Sequence, residues 1–123
     1  MSGNSILLDS NIVLYLLGGD KTLVPLLQDR RLYVSFITQL EVLSYRNFSE
    51  TELSKTKEFV NACTVIDITA DIKETTVALR RKYELKLPDC IIIATARYLG
   101  IPLITADKDF TKVRELDLIL YER

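Results

Sequence analysis

ILLDSNIVLYLLGG, residues 6–19, decides how this chain is read. Ile6, Leu7 and Leu8 form an unbroken apolar run rather than an alternating one, so the strand they predict is covered on both faces. The run stops at Asp9. Residues 11–17 then read as a buried helix closed by Gly18 and Gly19. A doubly covered strand passing at once into a helix is the start of an α/β fold with a parallel sheet.

The same alternation continues downstream. A second helical stretch reaches Asp29, and residues 32–36 have the β-branched and aromatic character of a strand. Thr38 opens a predicted helix running to about Asn47, and Ser49 with Glu52 makes a capping-box pattern for the next one. Residues 65–68 read as a strand, after which Ile72, Thr76, Leu79 and Tyr83 recur at helical spacing. Pro88 marks another helix start. That helix, through Leu99, is apolar on most faces, and Gly100 releases the chain into a strand over residues 101–105. A short helix over residues 110–113 and a strand over 118–121 complete the pattern. The expectation is one α/β domain, residues 1–123, with a mostly parallel sheet of about five strands between two helical layers.

Composition narrows the function classes. The chain has 123 residues, 48% apolar and 27% charged, which places it among globular proteins rather than disordered or fibrous ones. Sixteen Lys and Arg against seventeen Asp and Glu give a net charge of −1, so any polyanionic ligand must be held by local contacts rather than by a global positive field. The first thirty residues carry no signal-peptide pattern, and no apolar run is long enough to span a bilayer; a soluble cytoplasmic protein with no membrane partner is expected. Cys63 and Cys90, each among apolar neighbours, read as buried small hydrophobes in a reducing compartment.

Five carboxylates stand where strands hand over to helices or helices begin: Asp9, Glu41, Asp89, Asp107 and Asp109. Each has an ordinary explanation. Asp9 is a good helix N-cap, Glu41 can close a capping box with Thr38, Asp89 follows Pro88 in a first helical turn, and Asp107 or Asp109 can cap the short helix. Jointly these explanations weaken, because Asp9 and Asp107 both follow predicted strands and so share one edge of a parallel sheet. Two carboxylates about 4 Å apart repel by roughly 4 kcal/mol at an effective dielectric of 20, which favours protonation or a bound cation. All-oxygen ligation suits Mg²⁺ or Mn²⁺, and the absence of any His disfavours zinc, copper and haem. Carboxylate-held Mg²⁺ or Mn²⁺ points to hydrolysis at phosphorus.

The run LLDSN, the segment SFITQLEVLS, the block LPDCIIIATA and the closing ITADKDF, in that order, resemble the PIN domain, especially its VapC-like toxin branch. The resemblance implies a three-layer PIN-like fold and a divalent-metal-dependent endoribonuclease acting on RNA. It further implies a homodimer and inhibition by a cognate antitoxin protein. By the same resemblance Asp9, Glu41, Asp89 and Asp107 match the family's acids and Asp109 a further acid often present. Ser10, Asn11 and Thr105 match supporting polar positions, Ser10 standing where Thr is frequent. Asp9, Asp89 and Asp107 are then the metal-facing oxygens, with Glu41 and Asp109 at a second metal or in support.

Substrate contacts leave less trace. Lys108 and Lys112 flank the acidic loop and Arg46 lies on the Glu41 helix, so these are the candidate phosphate contacts. Arg80, Arg81 and Lys82 read as the solvated face of an amphipathic helix. Tyr15 and Tyr45 are available to stack a base or to pack. Residues 12–27 carry more Leu and Val than a small helix pair needs, which suits a groove for an amphipathic antitoxin segment or a homodimer face. Two rival readings stay open: a PIN-like protein that binds RNA or a partner without cutting, and a phospho-receiver signalling domain using Asp67, Thr105 and Lys108.

Overall fold

The computed structural model describes residues 3–123. Its strands are β1 (Ser5–Leu8), β2 (Arg31–Ser35), β3 (Thr64–Ile66), β4 (Leu103–Thr105) and β5 (Leu118–Leu120). They form one all-parallel sheet in the order β3-β2-β1-β4-β5. Its helices are α1 (Ser10–Leu17), α2 (Leu23–Leu27), α3 (Phe36–Leu43), α4 (Glu50–Ala62), α5 (Ala70–Lys82) and α6 (Leu87–Leu99), with a 3₁₀ turn over Lys108–Lys112.

Side chains of the central strands alternate between two cores. Leu7, Tyr33 and Leu103 point into a cluster with Ile72, Leu79, Ile92 and Ile93 of α5 and α6. Ile6, Leu8, Val34 and Ile104 point the other way, onto Ile12, Leu23 and Val60 of α1, α2 and α4. A strand covered on both faces needs apolar residues at every position, which is why β1 reads as a run. Each fully buried Leu or Ile contributes on the order of 2 kcal/mol of transfer free energy. The cysteines are free and buried in opposite cores, and burial pushes the Cys63 thiol up to about 11. Among the described residues no helix is long and apolar enough to cross a membrane.

The capping box at α4 is present: Glu52 N donates to Ser49 Oγ and Ser49 N to Glu52 Oε1. The helix carrying Glu41 differs from expectation at both ends. Ser35, not Thr38, is its N-cap, with Ile37 N donating to the Ser35 hydroxyl at 3.2 Å. It stops at Leu43, where the Ser44 hydroxyl donates to Leu40 O at 2.7 Å. No Thr38–Glu41 capping box exists, because Thr38 is already inside the helix and buried. Phe36 reads as strand from its aromatic character, yet one serine hydroxyl placed just before it ends β2. Likewise α2 stops at Leu27 rather than Asp29, whose φ of 63° is incompatible with a right-handed helix. The short helix expected over 110–113 is the 3₁₀ turn starting at Lys108.

A polar corner fastens the end of β5 to the turn after α1. Asp20 Oδ1 accepts from Thr22 N at 3.0 Å and Thr22 Oγ1 at 2.7 Å, while the Tyr121 hydroxyl lies 3.0 Å from both Asp20 oxygens. Thr22 and Tyr121 also join through their hydroxyls. Arg123 Nε stands 3.3 Å from Asp20 Oδ2, with its guanidinium 4.1 Å above the Tyr15 ring. The Thr22 hydroxyl, more than any other partner, holds the Asp20 carboxyl below the usual range.

Candidate active site

The strand order reverses at β1: β2 lies on one side and β4 on the other, so the crevice between the carboxyl ends of β1 and β4 is the place where an open parallel sheet receives ligands. Asp9 stands there as the N-cap of α1, only 4% exposed. Its Oδ1 accepts from Ser10 N at 2.8 Å and its Oδ2 from the Thr105 hydroxyl at 2.5 Å. Thr105 is the last residue of β4 and wholly buried, and its oxygen also accepts from Asp107 N at 3.0 Å. One hydroxyl therefore ties Asp9 to Asp107. Asp107 caps the 3₁₀ turn by accepting from Asp109 N at 2.9 Å, and Ala106 N donates to Asn11 Oδ1 at 3.3 Å.

Glu41 arrives from α3. The Ser10 hydroxyl donates to Glu41 Oε1 at 2.6 Å and lies 3.1 Å from Thr38 Oγ1. Ser10 has one proton, and the charged carboxylate at the shorter distance is the stronger acceptor. Asp89, in the first turn of α6, is half-buried.

The acids act on one another. Burial first, then the charges of Asp89 and Glu41, push the Asp9 carboxyl up to about 6 against the hydrogen bonds from Thr105 and Ser10. Burial again, then the charges of Asp107, Glu41 and Asp109, push Asp89 up to about 6, opposed by Lys86. Acids from four separate stretches of sequence thus share one field. Lys86 was not anticipated, although its place three residues before Asp89 is a visible signal.

As arranged, no three His, Cys, Asp or Glu side chains among the described residues stand close enough to form a ready cage for a metal ion. The donor set still fits a hard divalent cation. It is all carboxylate, mutually repelling, and Mg²⁺ commonly keeps several waters and takes only one or two protein carboxylates.

The basic candidates separate. Arg46 lines an open groove of about 500 Å³ that begins at Ser10 and Glu41. Lys108 is exposed on the acidic loop beside Asp107. Lys112 is exposed but stands 3.8 Å from Asp109 in an ion pair, so part of its charge is spoken for. Arg80, Arg81 and Lys82 are exposed at the end of α5, as their spacing suggested. Tyr15 packs against Tyr121 and beneath Arg123, whereas Tyr45 is exposed on the groove. Asp67, needed for a receiver site, is exposed beyond the edge strand β3 and accepts from Ile68 N, two strands from β1.

Comparison with known proteins accords with this geometry. Among curated proteins no match is found. A chain from a toxin–antitoxin complex of Klebsiella pneumoniae superposes with a TM-score of 0.84 at 34% identity, covering 96% of this chain and 99% of that one. VapBC2 from Rickettsia felis, bound to a DNA fragment from its promoter, gives 0.81 at 23% identity over 96% and 99%. DNA-bound VapBC from Salmonella typhimurium gives 0.78 at 20% identity over 94% and 96%. The family model for the PIN domain matches residues 6–116, a span that holds all five acids and the strands that converge them. That overturns the phospho-receiver reading, and the chain belongs to the PIN domain family.

Proposed function

We propose that this chain is a VapC-like toxin, a nuclease of the hydrolase class and more narrowly a divalent-metal-dependent endoribonuclease cutting RNA phosphodiester bonds. The observation that carries the reading is the shared field of Asp9, Glu41, Asp89 and Asp107 at the β1–β4 crevice. Nothing else in a chain of net charge −1 accounts for collecting uncompensated acids there. Asp9, Asp89 and Asp107 would hold Mg²⁺ or Mn²⁺, with Glu41 and Asp109 at a second ion or in support. Such an ion, when bound, supplies charge stabilisation at the phosphoryl oxygens and a more acidic water. Thr105 keeps Asp9 and Asp107 in register, Ser10 orients Glu41, and Asn11 holds the loop after β4. Arg46 and Lys108 are placed to meet phosphates on either side, with Lys112 a weaker candidate.

The partner is proposed to be an antitoxin protein, as the toxin–antitoxin and VapBC neighbours suggest. Support comes from an open apolar groove of about 280 Å³ lined by Leu16, Val24, Leu27, Leu32 and Phe59, with Val24 and Leu26 about half exposed at 53% and 46%. This is the surplus of Leu and Val noted in residues 12–27, and it suits the apolar face of an amphipathic segment. A homodimer and a cytoplasmic location belong to the same proposal.

The test is cleavage of a panel of structured RNAs by purified protein with Mg²⁺, Mn²⁺ or chelator, beside Asp9→Asn and Asp107→Asn. Cutting that needs metal and disappears in both folded variants is the expected result. Equal cutting by the variants means contamination. Specific RNA binding without cutting under any condition replaces this reading with that of a non-cleaving PIN protein.

A further inference from the structure

We infer that the groove beside Glu41 is a nucleobase subsite for single-stranded RNA, with Tyr45 as its stacking platform and Arg46 and Asn47 at its outer end. The inference rests on the nuclease reading and deepens it by saying how the strand next to the cleavage point is held. Its size, about 500 Å³, lies within the range of about 300–1,000 Å³ usual for small-molecule sites and accommodates one nucleotide. Ser10 and Glu41 form its inner end, so it is continuous with the acidic crevice.

The outer end is built rather than incidental. After α3 the chain makes a tight turn closed by Phe48 N donating to Tyr45 O at 3.4 Å, with Arg46 and Asn47 at its tip. Tyr45 packs on Phe48 with ring centroids 4.8 Å apart at 51°, which restricts its rotamers, yet 44% of the residue remains exposed. An aromatic ring that is ordered but left in water is ready for a second planar partner. Single-stranded RNA presents such partners, because its bases splay out and stack on aromatic side chains. Charge sets the direction. Glu41 at the inner end repels phosphate and Arg46 at the outer end attracts it, so a backbone leaving the crevice runs toward Arg46 while the base turns onto Tyr45. Asn47, with both a donor and an acceptor, matches the edge of a base.

The test uses the full chain. Steady-state cleavage of a single-stranded RNA is compared for wild type, Tyr45→Ala and Tyr45→Phe, with melting temperature as the folding control. In parallel, the same RNA carrying 5-iodouridine next to the cut is photocrosslinked to the Asp107→Asn chain and the adduct mapped. The expected result is a KM raised about 5- to 150-fold in Tyr45→Ala at nearly unchanged kcat, as loss of one base stack removes uniform binding. Tyr45→Phe should stay within about twofold because stacking needs no hydroxyl, and the adduct should lie on Tyr45. A wild-type KM in Tyr45→Ala, equal damage in Tyr45→Phe, or adducts only outside residues 41–48 overturns the subsite while leaving the nuclease standing. A wild-type chain that cuts no RNA with either ion overturns both.

Discussion

Asp9 and Asp20 are the same residue in similar local roles, each accepting a threonine hydroxyl and a nearby backbone amide, yet their surroundings drive them in opposite directions. Asp20 sits in a corner built to accommodate charge, with two hydroxyls, an amide and Arg123 converging on it, and its carboxyl falls below the usual range. Asp9 is buried among other acids with no cation against it, and its carboxyl rises to about 6. The corner is a fastening between β5 and the turn after α1. The crevice is an unbalanced site that a divalent cation would balance. A carboxylate's hydrogen bonds do not separate the two roles; the charges beyond them do.

The contrast breaks first at activity. Asp89→Asn should reduce metal-dependent RNA cleavage by at least about 100-fold, the scale of losing one group that stabilises transition-state charge. Asp20→Asn should leave kcat within about threefold on the same assay, since it removes no charge stabilisation at the reacting phosphate; a comparable loss there would erase the distinction.

Stability in chelator gives a sharper contrast, because the two signs are opposite. Between about pH 4 and 6 folded Asp9 holds a proton that the unfolded chain has released, so its contribution to stability falls as pH rises through that window. Asp9→Asn should therefore be more stable than wild type at pH 8, by on the order of 2 kcal/mol, with the gain gone below pH 4. Asp20 titrates the other way: its stabilisation is present above the unfolded pKa and lost as pH falls through the depressed folded value. Asp20→Asn should be less stable at pH 7 and equal to wild type in acid. Denaturant titrations at three pH values check both.

Smaller effects test the connections. Thr105→Val removes the hydroxyl joining Asp9 to Asp107 and should cost about 1–2 kcal/mol and roughly tenfold in cleavage. Tyr121→Phe should cost about 1 kcal/mol by denaturation with cleavage unchanged, because its hydroxyl serves only the corner.

Much of the fold was legible because the physics is local. Doubly buried strands must be apolar throughout, so Ile6 to Leu8 and Leu103 to Thr105 announce themselves, and Ser49 with Glu52 closes a box within one turn. The start of α3 was misread because a single hydroxyl on Ser35 outweighed the strand character of Phe36. The five acids were also legible, as residues placed after strands or at helix starts, but their separate helix-capping explanations were equally so.

From residues 6–19 onward, order and chemical type already specify a parallel α/β sheet with acids along one edge, since periodicity and turn chemistry act over a few residues. What they leave undetermined is which distant groups meet. That Ser10 binds Glu41, that Thr105 joins Asp9 to Asp107, that Tyr121 closes on Asp20 and that Tyr45 faces the same groove as Glu41 depend on strand order and helix packing. Hydrogen bonds and unscreened charge act over a few ångströms in space, and separation along the chain carries no information about that distance until the sheet has formed.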